Sequence, residues 1–405
     1  MNIILFETET IQKLYPVTLG RVGFDILCGG TTLYALLQRA FATTEITWRV
    51  RDYLTDVTKL RFPVAAPATG DCLYLSAALA PRIATIDLLK EIIAQKTETV
   101  LTAGGDIIGA YLRKPFAAAE TADIAETLAA LSVPATDISV PRLQNLWDVI
   151  FENEKNIGEN LKYLAQFFNQ KTDGVYCGHN VTVAPSVVFD TSKGSVILDD
   201  NVSVSDFCVL RGPLYVGPQT IVRSFCELKD GTSIGPVCKI GGEVEAAVVQ
   251  GYANKQHYGF LGHAYVGEWV NLGAGTTNSD LKNTYGEIKM KGEKTGHQFL
   301  GCVIADYAKT AVGALIYTGK VIGFNSCVYG TAIADVPSFT NYARYGAKQI
   351  TFPLELAQKT QIAMFSRRNV SPNKACQDLL KHIFSLTAAE RNAAGVREGE
   401  LNFIV

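Results

Sequence analysis

Stepping by six residues from Leu198 reaches Val204, Leu210, Val216, Val222, Leu228, Ile234 and Ile240, an unbroken aliphatic series. Four positions after each rung stand Val202, Cys208, Leu214, Thr220, Cys226, Thr232, Cys238 and Val244, which are mostly small. Glycine follows the rung in Val216-Gly217, Ile234-Gly235 and Ile240-Gly241. Neither an α-helix nor a simple hairpin repeats every six residues, so this period excludes both. It predicts a parallel β-helix, in which each rung is a short strand with one side chain turned inward. Three such strands close a triangular coil of about eighteen residues. The ladder loses phase between Glu243 and Phe260, returns at Phe260, Val266 and Leu272, and breaks again near Asn278. It resumes at Ile304, Thr310, Ile316, Ile322 and Val328. Breaks in a solenoid are expected to leave the coil as loops, the usual carriers of chemistry.

A chain of 405 residues exceeds what one core accommodates, which implies two domains and an appendage. Residues 1–140 alternate strand and helix patterns, which predicts an α/β domain with a mostly parallel sheet. Ile3–Phe6, Ile46–Val50 and Cys72–Ser76 read as strands, and so do Val100–Leu101 and Ile107–Leu112, with Ala103-Gly104-Gly105-Asp106 as a turn. Leu143, Leu146, Trp147, Ile150 and Phe151 share one helix face, so residues 141–174 read as a linker helix. The β-helix is expected over 175–350. Residues 351–405 read as a helical appendage, with Ser371-Pro372 opening one helix and Thr387-Ala388-Ala389-Glu390 a capping box for the last.

A formal charge of -2 gives no general attraction to nucleic acid or to an anionic membrane, and no apolar run approaches the ~20 residues that span a bilayer. The opening Ile3-Ile4-Leu5-Phe6 run is short and has no basic lead, which reads as a buried strand and not as a signal peptide. The nine cysteines include no CxxC pair, and three fall on the ladder, which fits reduced, inward thiols in a cytoplasmic protein. His257 and His263 are six residues apart, on neighbouring faces of the coil, with no third ligand evident. No metal is expected there.

The stretch Asn254-Lys255-Gln256-His257-Tyr258-Gly259-Phe260-Leu261-Gly262 precedes Asn271-Leu272-Gly273-Ala274-Gly275-Thr276. This block resembles the acetyltransferase half of bacterial bifunctional UDP-N-acetylglucosamine pyrophosphorylase/glucosamine-1-phosphate N-acetyltransferases, whose coil is a left-handed β-helix. It is similar also to a divergent bacterial branch of sugar nucleotidyltransferases, through Gly241–Val244, His257–Gly262 and Ser279–Asn283. The resemblance implies that His257 is the general base that deprotonates a sugar amine, a task suited to a group titrating near neutrality. It implies that Asn271 touches the sugar, and that Ala274, Gly275 and Thr276 lie against acetyl-CoA, where a free backbone N–H can hold an oxyanion. Lys229, Lys255, Tyr258, Asn278, Lys282, Asn283 and Tyr285 complete the expected substrate contacts, with Lys289 and Lys291 adding charge to the second loop. His297 is the reserve base.

The chain departs from the family at three of these places. Phe260 stands for a tyrosine, Ala247 for a basic residue, and Lys229 for a phosphate-binding arginine. In the first domain, Leu14-Tyr15-Pro16-Val17-Thr18 followed by Arg21 resembles the corresponding run of sugar nucleotidyltransferases. Those enzymes cradle a triphosphate on a glycine-rich loop just before it. Here that segment is Phe6-Glu7-Thr8-Glu9-Thr10-Ile11-Gln12-Lys13, with no glycine and two carboxylates. The expected domain is thus a degenerate nucleotidyltransferase, needing Mg only if it is active. Three functions stay open: acyl transfer from acetyl-CoA to an amino sugar carried as a phosphate or nucleotide-sugar, synthesis of a UDP- or dTDP-sugar, and sugar-nucleotide sensing without turnover. The resemblance also implies a homotrimer.

Overall fold

The structure, a computed structural model, describes residues 1–42, 44–63, 70–116, 123–343 and 348–400. The first domain is built on a six-stranded sheet. Its order is Glu45–Arg49, Asn2–Phe6, Cys72–Ser76, Asp106–Leu112, Thr99–Ala103 and Ala135–Asp137. Asn2–Phe6 pairs in parallel with both neighbours, but Asp106–Leu112 runs antiparallel to Cys72–Ser76 and to Thr99–Ala103. The sheet is therefore mixed where a mostly parallel one was expected. The cause is the tight turn at Gly104 and Gly105, both at positive φ, which returns the chain directly and leaves no room for a crossover helix.

The helix Asp148–Leu164 leads from this domain to the coil. It stops short of the expected residue 174. Asn169–Thr172 is an exposed antiparallel strand that pairs with Val175–Cys177 and covers the first edge of the solenoid.

From Val175 the chain winds as a parallel β-helix. Leu198 pairs with Val216 and Val216 with Ile234, Val204 with Val222 and Val222 with Ile240, and Leu210 with Leu228. Every rung from Leu198 to Ile240 is buried, and so is every residue four places on. The corners recur on the same six-residue grid, with Asn201, Phe207, Gln219, Phe225 and Val237 all near φ +59° to +60°.

The two breaks in the ladder differ in kind. The first is not an extruded loop. Ile234 pairs with Val249 and Ile240 with Lys255, so this coil is merely three residues shorter than the preceding ones. Residues 243–262 stay in the wall as short strands. The second break is a true insertion, because Val266 pairs with Ile304. It folds into a small ribbon of Lys289–Met290 against Glu293–Lys294. Its Ile288, Met290 and Leu300 are fully buried in one cluster with Ile11, Leu14, Val17, Leu143 and Leu146 of the first domain and linker.

After the coil, Leu354–Ser366 and Lys374–Leu386 fold back on it, and Phe365 packs on Trp269. The cap of Lys374–Leu386 is Asn373, which accepts from the Ala375 N–H, and not Ser371. Thr387 makes no capping bond to Ala388–Ala393. Its hydroxyl donates backward to the Ile383 carbonyl.

Candidate functional site

Three aromatic and amide rows of the coil meet the end of the helix Leu354–Ser366 along a groove of about 230 Å³. Tyr252 and Trp269 stack with ring centroids 4.4 Å apart and form part of its wall. Asn254, Gln256 and Asn271 present amides to it, and Asn254 donates to the Asn271 side-chain oxygen at 3.2 Å. Lys239, Lys309, Arg367 and Arg368 also line it, while among the described residues no carboxylate does. Arg368 is fixed by a 2.7 Å bond to the Asn254 side-chain oxygen, and Lys309 by one of 2.7 Å to the Tyr307 carbonyl. Burial, then the positive charges of Arg368, Arg223 and Arg367, push the Lys239 ammonium below its usual pKa. Burial does the same to Lys309.

Gln256 on the groove leads directly to His257 and Tyr258, which lie exposed on the loop between Asn254–Lys255 and Phe260–Gly262. Among the described residues the His257 ring has no hydrogen-bond partner, and this frees both nitrogens for a ligand. Tyr258 folds over the turn at Gly275. Gly275 has φ +75°, and a Cβ there would stand 3.0 Å from the Tyr258 hydroxyl, so only glycine fits. The Gly275 N–H donates to the Tyr258 carbonyl at 3.2 Å. It is therefore not the open oxyanion donor expected of it. The neighbouring Ala274 N–H has no partner among the described residues and is the donor this turn still offers.

Several residues expected to touch a ligand have other work. Lys255 sits at a rung position with its side chain inside the coil, 3 % exposed, where its ammonium donates to the Gly241 and His257 carbonyls at 2.7 and 3.0 Å. Burial brings its pKa down to about 8. Lys229 lies between Glu243 and Glu245, at 2.5 and 2.9 Å, and these bonds raise its pKa and neutralise its charge. Asn278 is buried and bonds both ways with the Gly262 backbone, at 3.0 Å each. Thr276 is buried as well, its hydroxyl 2.6 Å from that of Thr310. Lys255, Asn278 and Thr276 are inward-facing residues of the coil, and inward position decides their partners, whereas Lys229 lies on the outer face with its two glutamates.

The second loop also differs from the open basic loop expected. Lys282 donates to the Glu287 carbonyl within the loop, and Lys291 reaches the Tyr15 carbonyl of the first domain at 3.4 Å. Asn283, Tyr285 and Lys289 are exposed and are not part of the groove. His297 stacks on Phe151, centroids 3.4 Å apart, and burial and then Lys155 lower its pKa. It is held as a packing residue of the linker. His263 lies 2.9 Å from the Asp280 carboxylate.

In the first domain, Thr8, Lys13, Ser76, Asp106 and Arg142 border a depression of about 220 Å³ at the carboxyl ends of Asn2–Phe6 and Cys72–Ser76. Open α/β sheets take ligands at this end. The segment before Leu14 forms a 3₁₀ turn, Glu9–Leu14, where a phosphate loop would need free N–H groups. Glu7, 2 % exposed at its side chain, accepts from Arg51 Nε and Nη2 at 2.9 and 3.0 Å and from the Gly23 N–H at 2.9 Å. Asp106 is paired with Arg142 at 2.7 Å. Mg needs carboxylate oxygens, and among the described residues the one carboxylate bordering this depression is already held by a guanidinium, so these residues do not fit it. Sequence reasoning missed the groove residues Lys239, Lys309, Arg367 and Arg368. Only the fold-back of the last helices assembles them, and no spacing announces that.

Residues 3–167 match the sugar nucleotidyl transferase family. The bifunctional protein GlmU of Thermotoga maritima is 25% identical over 344 residues, which are 83% of this chain and 63% of that one. GlmU of Sphingopyxis alaskensis is 32% identical over 139 residues, 34% of this chain and 29% of its own. The chain thus spans less than two thirds of the length of these curated relatives. Among solved structures, the UDP-N-acetylglucosamine acyltransferase of Francisella novicida covers 53% of this chain and 78% of its own, at 14% identity and TM-score 0.27. AntD, an N-acyltransferase from Bacillus cereus in complex with dTDP and 3-hydroxybutyryl-CoA, covers 52% and 96%, at 14% identity and TM-score 0.25.

Proposed function

We propose that the chain, whose residues 3–167 match the sugar nucleotidyl transferase family and are followed by a parallel β-helix, is an acyltransferase. It moves an acyl group from acetyl-CoA to the amine of an amino sugar carried as a phosphate or a nucleotide-sugar. The observation that supports this most is the exposed, unpartnered His257, one residue from the groove and beside the turn that bears the open Ala274 N–H. A sugar ammonium cannot attack a thioester until it loses a proton. That first proton goes to water; as the neutral amine nitrogen then bonds to the carbonyl carbon, His257 takes a second N–H proton from it, and the Ala274 N–H steadies the oxygen as it becomes negative. The C–S bond then breaks, and the thiol of coenzyme A leaves with the proton that His257 held. Acetyl-CoA supplies the activated acyl group; the protein's own residues position the amine and relay the proton.

Release of free thiol from acetyl-CoA tests this, with glucosamine 1-phosphate and UDP-amino sugars as acceptors. No release with any of them, together with tight binding, would favour the sensor reading. The observation on that side is that the Gly275 N–H is already engaged. Nucleotidyl transfer has less support, because Glu7 and Arg51 occupy the segment where the triphosphate loop belongs. We propose further that three copies assemble through the flat faces of the coil. Sedimentation equilibrium should then give three times the chain mass of 43.9 kDa.

A further inference from the structure

The residues to which the resemblance gives the acceptor's phosphate cannot hold it. Lys229 is neutralised between Glu243 and Glu245, and Ala247, where a base would stand, is fully buried and apolar. The free positive charge lies elsewhere, on the groove beneath the last helices. Lys239 and Lys309 stand at the two ends of one row of the coil, three turns apart with Asn254 and Asn271 between them, and Arg367 and Arg368 lie at the end of Leu354–Ser366.

We propose that this groove is a phosphate-binding site shared between the coil and the C-terminal helix, and that it takes the phosphate or diphosphate of a sugar phosphate. Four cations converge with no lining carboxylate among the described residues, an arrangement that repels itself unless an anion is bound. Among the described residues the side chains of Lys239 and Arg367 have no hydrogen-bond or ion-pair partner, so they can turn onto a ligand. Arg368 is already aimed by Asn254, and a guanidinium so fixed can offer a planar pair of donors to phosphate oxygens. Asn271 and Gln256 supply amide donors and acceptors suited to sugar hydroxyls beside it. A volume of about 230 Å³ suits a phosphorylated monosaccharide better than a whole nucleotide-sugar, whose base would extend past the rim. Burial, and the positive neighbours of Lys239, hold both Lys239 and Arg368 below their usual pKa, as expected of a cationic site awaiting its counter-charge. The inference rests on the acyltransferase reading only in calling the ligand a sugar phosphate.

The test is calorimetric titration of the full chain with pyrophosphate, glucosamine 1-phosphate and unphosphorylated glucosamine, repeated over a series of ionic strengths. Wild type should bind the two phosphates, and each tenfold rise in salt should weaken them several-fold. It should not bind glucosamine measurably. Lys239→Ala with Arg367→Ala should weaken both phosphates by roughly 10²-fold, about tenfold for each charge-assisted contact. Lys239→Arg should retain most of the affinity. Thermal denaturation without ligand checks that the double variant is folded; neither altered side chain has a partner to lose. Equal phosphate binding by wild type and a folded double variant would overturn the site, as would no binding by wild type. Phosphate binding without thiol release from acetyl-CoA would leave the site standing and remove the acyltransferase reading. Thiol release unchanged in the double variant at limiting acceptor would do the reverse.

Discussion

Arg21 of the first domain places Nη2 2.9 Å from Asp306 Oδ1 on the β-helix, with 1 % and 4 % of the two side chains exposed. Around this pair lie Glu268, 3.5 Å from Arg21, and Asp25, 3.8 Å away, and Arg61 adds a contact to Glu268 of 2.5 Å. Arg21 follows the stretch that resembles the catalytic run of nucleotidyltransferases, yet here it fastens one domain to the other. Burial opposes the charge of Glu268, but Arg61 and Arg21 outweigh it and hold its carboxyl below the usual range.

Removing one partner of a buried pair leaves the other charge uncompensated, which is worse than removing both. Arg21→Met should therefore destabilise the protein by about 3–5 kcal/mol, and Arg21→Met with Asp306→Asn by less than the two single changes together. Urea unfolding of the four proteins in the cycle reads this directly. Strict additivity would mean that the two residues do not act as a pair.

His257→Ala should leave the melting temperature within about a degree or two, because the side chain is exposed and makes no hydrogen bond or ion pair among the described residues. Turnover should fall by roughly 10²–10⁴-fold, the range for loss of a general base, while affinity for the acceptor changes much less. Wild-type rates in this variant from pH 6 to 9 would dismiss His257 as the base.

Lys255 gives a pH signature in stability. Its pKa falls from 10.5 when unfolded to about 8 when folded, so between those values the unfolded chain binds more protons. Stability must rise with pH across that window. Below pH 8 the full destabilisation is present; above 10.5 it is gone. The size is roughly 3 kcal/mol at most. In Lys255→Met this contribution is absent, so the stability of wild type relative to the variant should climb between pH 8 and 10.5. A constant difference would place the ammonium in water.

Cys208, Cys226 and Cys238 are inside the coil, and burial raises the pKa of each thiol, that of Cys238 to about 12. All three should resist alkylation in the native protein and react on unfolding. Cys376, half-buried on a C-terminal helix, should be the first of the nine to label. Mass spectrometry of briefly treated protein distinguishes them, and rapid labelling of the coil thiols would contradict the rung phase.

The coil could be read in the sequence because every rung from Leu198 to Ile240 obeys one local rule, and the structure buries each of them. The first phase break was misread for an equally local reason. Two residues are lost between Ile240 and Val244 and a third before Val249, which shifts the grid, and along a sequence that looks the same as an inserted loop. Lys255 then looks like a basic loop residue, when its register opposite Ile240 puts it inside. Glu7 read as a carboxylate hostile to phosphate, but its partner Arg51 is forty-four positions away, and only the pairing of Asn2–Phe6 with Glu45–Arg49 brings the two together. Of the groove the sequence singles out only Asn271; its cations were illegible, since Lys239 and Arg368 become neighbours through a helix that returns over more than a hundred residues.

The insertion after Asn278 has a consequence for how this chain can be divided. Its Ile288, Met290 and Leu300 finish a core that the first domain and the linker begin. A gene fragment starting at the coil would carry that apolar ribbon without its cover, and one ending before the coil would leave Leu14 and Leu146 open to water. Recombination between such halves would have to inherit both sides of the seam at once. The two domains are therefore a single heritable unit, even though a coil by itself repeats like a string of interchangeable parts.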